Sequence, residues 1–177
     1  IELPLNAYDM VLAQMCIHHV RRLEHLFGQV ACALVAGGVF AINDYVGPTR
    51  WQYTHTQVAL ANLLLLLLPR RLKIRYPDGD PKESISRPTA QQMIEMDPSE
   101  AVRSEEIVPI FRKSFTVEHC VDYGGSISLL VLNHIIGNFR AEDPQSLRWF
   151  KLILAVDHWA RRLSLVPVIN VVLSGRA

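Results

Sequence analysis

The sequence predicts an α/β fold, and three observations predict it. Short, near-continuous apolar runs at "YDMVLA" (Tyr8 to Ala13) and "VFAIN" (Val39 to Asn43) suit strands buried on both faces. Between them Val20, Leu23, Phe27, Val30, Ala31 and Leu34 recur at intervals of three and four, the spacing of one helix face. Strand, helix and strand in close succession make a βαβ unit, which implies parallel pairing through a right-handed crossover.

The remaining elements follow in order. Gly37 and Gly38 supply a C-terminal stop for the first helix. Thr54 with Gln57 is a capping box opening the Leu-rich run "VALANLLLLLL", which stops at Pro69 with Arg70, Arg71 and Lys73 at its end. "YPDGDPKESISRP" is a loop by composition. Thr89 with Gln92 is a second capping box, and "DPSE" (Asp97 to Glu100) reads as the opening of a third helix. "FTVEHCVDYGG" alternates like a strand. "SISLLVLNHIIGNF" reads as a helix, and "DPQSLRWFKLILAVDHWARRL" as another, with Asp143 as cap and Pro144 in its first turn. "VPVINVVLSGRA" is a β-branched strand.

Bulk properties narrow the function classes. The 177 residues suffice for one medium domain with a hydrophobic core. A formal charge of +1 gives no field that would gather nucleic acid. Cys16, Cys32 and Cys120 form no CxxC pair, and an odd count without a framework suggests a reducing compartment, hence the cytoplasm. The Leu-rich run is shorter than the roughly 20 residues a membrane span needs. Its apolar residues wrap most of the helix, which fits a buried or domain-covering helix better than an interfacial one. The chain opens on Ile1, directly ahead of a strand-like run, and so reads as a fragment entered mid-domain.

The stretch "QMCIHHV" (Gln14 to Val20) sets a thioether, a thiol and two imidazoles close together. As ligands, Cys16, His18 and His19 would suit a soft metal, but adjacent residues at a strand-to-helix turn are expected to diverge. No fourth ligand stands at a recognisable spacing, so no metal is assigned. The two imidazoles either cap and pack at the helix entry or line a ligand crevice.

The segment "LPLNAYDMVLAQMCIHHVRRLEHLFGQVACALVAGGVFAINDYVG" resembles the central part of class I S-adenosylmethionine-dependent methyltransferases. The match rests on Asp9 ahead of the fourth strand's apolar core, the His18–His19 turn after it, and the "LVAGG" turn before a fifth strand. "DYVGPTRWQ", "DPSEAVRSEEI" and "DYGGSISLLVLNHIIGNF" extend the resemblance over most of the chain. It implies a partial Rossmann-like methyltransferase sheet, equivalent to strands four to seven of the family order 3-2-1-4-5-7-6, with a helical insertion. Residues 1–49 would be the central βαβ, 50–115 a helical insertion or lid with the following core helix, and 116–177 the strands and helices completing the sheet.

The same resemblance implies S-adenosylmethionine as cofactor, approached by Ala13, Gln14, Met15 and His18. It implies His19, Asp44 and Tyr45 at the transfer site, where an imidazole could orient a substrate or accept its proton. Arg50, Trp51, Tyr123, Asn133 and Asn138 would face a small-molecule substrate; Asp44 and its neighbours could equally form a strand-exit turn, and the others could be loop, turn and cap residues. One part of the family pattern is missing. No glycine-rich loop follows a strand and no acidic residue stands placed for a ribose, so the chain alone is expected to bind cofactor poorly. Strand four would then be an exposed sheet edge, open to pairing with a second copy or another partner. A non-catalytic interaction or dimerisation protein is the alternative.

Overall fold

The computed structural model describes residues 2–177. In chain order its elements are β1 (Tyr8–Gln14), α1 (Leu23–Ala33), β2 (Leu34–Tyr45), α2 (His55–Leu67), α3 (Ala90–Met96), α4 (Ile107–Ser114), β3 (Thr116–Asp122), α5 (Ser128–Leu132), α6 (Pro144–Arg162) and β4 (Asn170–Arg176). They form two compact units, residues 2–52, 88–123 and 169–177 in one, and 53–87 and 124–168 in the other. These units cut across the expected segments 1–49, 50–115 and 116–177: residues 88–115 join the first unit with the central βαβ, and 124–168 join the Leu-rich helix.

The first unit holds one sheet, in the order β1-β2-β4-β3. β1 and β2 are parallel, as the βαβ pattern predicts, while β4 runs antiparallel to both its neighbours. Gln14 pairs Asn43, and Asp44 and Asp122 both pair Val171. The carboxyl ends of β1, β2 and β3 therefore lie along one edge of the sheet.

Alternation along β2 turns Phe40, Ile42 and Asp44 to the same face. Phe40 and Ile42 pack with Leu23, Phe27 and Val30 of α1 and with Ile107, Ile110 and Phe111 of α4. Phe27, Phe40, Phe111 and Phe115 meet ring to ring, at centroid separations from 4.8 to 6.2 Å. Burying each such ring stabilises the unit by about 1.5–3 kcal/mol.

The expectation that β1 is buried on both faces is corrected here. Met10 is 60% exposed and Leu12 67%, and Val121 and Val172 on the same sheet face are exposed too. The cause is that α1 and α4 both pack on the Phe40 face, and that β1 has β2 as its one strand neighbour among the described residues.

Three boundaries also differ. α1 ends at Ala33, where Leu34 turns to extended backbone; Gly37 and Gly38 sit inside β2, at an irregularity where the register with β1 shifts. Gly37 has φ +77°, and a Cβ on Gly38 would stand 2.9 Å from the Val35 carbonyl oxygen, so these glycines serve a bulge and not a helix stop. "DPSE" does not open a helix: Asp97 closes α3, and Asp97–Glu100 form a turn ahead of α4. "SISLLVLNHIIGNF" is not one continuous helix: α5 ends at Leu132, His134 takes φ 64°, and a single 3-10 turn follows over Ile136–Asn138.

In the second unit the capping predictions hold. Thr54 and Gln57 close a reciprocal capping box on α2, and Asp143 accepts from the amides of Gln145 and Ser146 at the start of α6. Thr89 and Gln92 do the same for α3 in the first unit. Buried Asp157 of α6 accepts from the amides of Ile127 and Ser128 and from Arg161 Nε, satisfying the start of α5 from outside it. α2 buries Ala61, Leu64 and Leu65 but leaves Leu63, Leu66 and Leu67 exposed, so it is less enclosed than its composition suggests. No helix among the described residues is long and apolar enough to cross a membrane.

Candidate functional site

The Asp44 carboxylate lies on the core face of β2 at its carboxyl end and is 0% exposed. A buried carboxylate needs donors, and four converge on it. Oδ2 accepts from the amides of Cys16 (3.0 Å) and Ile17 (2.7 Å); Oδ1 accepts from the Tyr45 amide (2.8 Å) and from His18 Nδ1 (2.5 Å). Asp44 thereby fastens the turn that follows β1 to the end of β2. His18 and His19 sit on that turn, a single 3-10 turn over Ile17–His19.

His18 is buried at 5% exposure. Burial alone would lower its pKa; the hydrogen bond and charge of Asp44, with the charges of Glu100 and Asp97, outweigh burial and hold it above its ordinary value. Burial alone would raise the Asp44 pKa; the His18 hydrogen bond, the Ile17 amide, the His18 charge and the Cys16 amide hold it below. Burial and then the Asp44 charge push the neighbouring Cys16 thiol up, away from thiolate.

His19 was expected to diverge from His18, and it does not. The ring centroids are 4.2 Å apart at 41°. His19 Nδ1 lies 3.0 Å from Ser99 Oγ, and that hydroxyl donates to Asp97 Oδ1 at 2.7 Å. Glu100 then reaches both imidazoles: its Oε1 is 3.6 Å from His18 Nε2 and its Oε2 is 3.8 Å from His19 Nε2. Ligating atoms of His18, His19 and Glu100 all lie within 4.8 Å of one another, the set among the described residues able to hold a metal ion. Cys16, offered by the sequence as a ligand, is not in it.

Asp97, Ser99 and Glu100 escape a reading of the sequence because "DPSE" has the residue types of a helix opening. The signal was present as two carboxylates and a hydroxyl in four residues, but a helix cap needs the same residue types. The turn is held over the histidines by Arg50, whose guanidinium donates to the carbonyls of Asp97 (3.3 Å), Pro98 (2.8 Å) and Glu100 (3.0 Å). The Val102 amide also donates to the His18 carbonyl at 3.0 Å.

The other candidate residues divide by place. Gln14 and Met15 stand at the carboxyl end of β1, Met15 with φ 49° and its amide donating to the Asn43 carbonyl. Ala13 lies one residue further in, paired with Ile42 and packed against the core. Tyr123 follows β3 on the same edge and donates its hydroxyl to Asn43 Oδ1 at 2.8 Å; burial and then the Asp44 charge raise its pKa. Tyr45 is buried, sets its ring edge-on to His18 at 6.3 Å, and donates its hydroxyl to the Pro48 carbonyl. Trp51, half-buried, packs beside Tyr45. Asn133 and Asn138 belong to the second unit. There the Asn133 carbonyl accepts from Lys82 Nζ, and Asn138 Nδ2 donates to the carbonyls of Leu72 and Ile74.

No protein-family model matches the chain, and no curated protein matches it. Solved structures do resemble it. All of the chain aligns with 65% of an S-adenosylmethionine dependent methyltransferase from Mesorhizobium loti, at 13% identity and a TM-score of 0.45. It also aligns over 99% of its length with 34% of Haemonchus contortus phosphoethanolamine N-methyltransferase 2, a structure holding S-adenosyl-L-methionine, at 14% identity and a TM-score of 0.49. The chain thus spans less than two thirds of the length of either protein.

Proposed function

We propose that this chain forms the acceptor side of an enzyme that transfers a methyl group from S-adenosylmethionine to an oxygen, nitrogen or carbon of a small molecule. One observation carries the reading. The strand order β1-β2-β4-β3 is compatible with the 4-5-7-6 order that the sequence resemblance implies, and so supports the reading. It sets His18 and Asp44 at the carboxyl ends of adjacent parallel strands, where open α/β sheets bind ligands.

The sulfonium of the cofactor supplies an already activated methyl group, so the protein's task is in-line positioning and, for a protonated acceptor, removal of a proton. Asp44 fixes the His18 ring by holding Nδ1–H and leaves Nε2 to face the acceptor. Asp44 acts through His18, since its own oxygens are enclosed. In this reading Gln14 and Met15 serve the cofactor and Tyr123 the substrate, a division supported by their positions at the carboxyl ends of β1 and β3. Arg50, with its guanidinium committed to backbone carbonyls, is a positioning residue in this reading.

The chain carries no glycine-rich loop, so a complete cofactor site needs sequence beyond these 177 residues. Calorimetric titration with S-adenosylmethionine tests this on the 177-residue chain and on one extended N-terminally by a strand and glycine-rich loop. Binding that appears only on extension supports the reading; micromolar binding to the shorter chain overturns its half-site character.

The exposed β1 edge favours a second reading, a non-catalytic protein that pairs through this strand. Met10 and Leu12, exposed on a strand that has no second strand partner among the described residues, would supply the association surface. A stable dimer in sedimentation, unchanged by cofactor, is the outcome that selects it.

A further inference from the structure

We infer that His18, His19 and Glu100 form a binding site for a divalent first-row transition metal, with one coordination position open. Asp44 accepts from three backbone amides, so it accepts from His18 as well; the ring carries its proton on Nδ1 and turns Nε2 toward Glu100. Ser99 Oγ gives its single proton to Asp97 Oδ1, so it can only accept from His19, whose proton is therefore also on Nδ1. In the neutral rings both Nε2 atoms are then lone pairs, and the Glu100 carboxylate sits against both.

The separations fit an ion better than a direct contact. At 3.6 and 3.8 Å, Glu100 stands beyond the 2.7–3.2 Å of an ordinary N–H···O bond to either ring. No protein donor is bonded to its carboxylate among the described residues. Nitrogen and oxygen ligands about 2.0–2.2 Å from a zinc ion stand roughly 3.4 Å apart, so a small closure of the cluster completes the shell.

The surroundings are those of a held site. Ligating histidines almost always donate their other ring N–H to a carboxylate, carbonyl or similar partner, which fixes tautomer and ring angle. Here both do, His18 to Asp44 and His19 to the Ser99–Asp97 pair. Arg50 pins the turn carrying Glu100 through three carbonyls. Two imidazoles and one carboxylate suit zinc, cobalt, nickel or iron(II) over calcium or magnesium, and three protein ligands leave room for water or a substrate atom. The ion takes the place a proton would occupy on His18 Nε2, so metal binding and proton acceptance there are alternative states. Metal binding does not depend on the methyl-transfer reading.

The test reads ions rather than turnover. The chain is stripped with chelator, titrated with Zn²⁺ by calorimetry, and loaded with Co²⁺ for its visible absorption. One equivalent is expected, with cobalt bands of a four- or five-coordinate site. Glu100→Gln and His19→Ala, both on the half-exposed rim, should each weaken Zn²⁺ at least tenfold, and Ser99→Ala by about 10–100-fold through the outer partner alone. His119→Ala, on β3, should change nothing. Absence of stoichiometric binding, or binding that persists in the Glu100→Gln/His19→Ala double variant, overturns the inference.

Discussion

His18 and Asp44, 26 residues apart in sequence, stand 2.5 Å from Nδ1 to Oδ1 with both side chains buried, and the contact raises the His18 pKa while it lowers that of Asp44. The pair joins the turn after β1 to the end of β2, so it is at once a fold contact and the centre of the candidate site. Removing Asp44 leaves the buried His18 Nδ1–H and three backbone amides without their acceptor. Asp44→Ala should lower stability by about 3–5 kcal/mol, measured by denaturant unfolding; a loss below 1 kcal/mol would show that the pair is not buried in solution.

The pH dependence follows from the two shifts, which have opposite signs. Asp44 is depressed below its ordinary 3.8, so its contribution is present above that value and lost as pH falls through the folded value. His18 is raised above its ordinary 6.5, so its contribution is complete below 6.5 and lost as pH rises through the folded value. The pair should stabilise most between about pH 4 and 6.5. Unfolding midpoints of the native chain minus those of His18→Gln should be greatest and level there, and should shrink on both sides.

Arg50 holds the Asp97–Glu100 turn with a planar fork that a lysine cannot reproduce. Arg50→Lys should cost about 2 kcal/mol and speed hydrogen exchange at the amides of residues 99 to 102. Unchanged exchange would mean that the turn is held by other contacts.

β4 runs between two strands with little room to spare. A Cβ on Gly175 would lie 2.7 Å from the Thr116 carbonyl oxygen and 2.9 Å from Phe111. Backbone cannot yield as a side-chain tip does, so Gly175→Ala should destabilise by about 1–3 kcal/mol. Its unfolding midpoint decides this.

Thr54 accepts from the Gln57 amide while Gln57 returns a bond to the Thr54 amide. Thr54→Ala should cost about 1 kcal/mol and fray the first turn of α2, visible as faster amide exchange there.

The sequence by itself determined whatever depends on neighbours along the chain. Helix spacing placed α1, both capping boxes and the Asp143 cap were legible, and the apolar runs marked β1 and β2, because each rests on contacts within a few residues. The resemblance pointed to His18, His19 and Asp44 as one rim. Only the tertiary structure decided the rest. Whether β1 was covered depended on which sheet face α1 and α4 chose, and composition is silent on that. Gly37 and Gly38 carry the same chemistry at a helix stop and in a strand bulge. Asp97, Ser99 and Glu100 resembled a helix cap until the fold set them about 80 residues back along the chain, against the histidines. A side chain's residue type tells which atoms it can offer, but the partner that receives them is chosen by long-range packing.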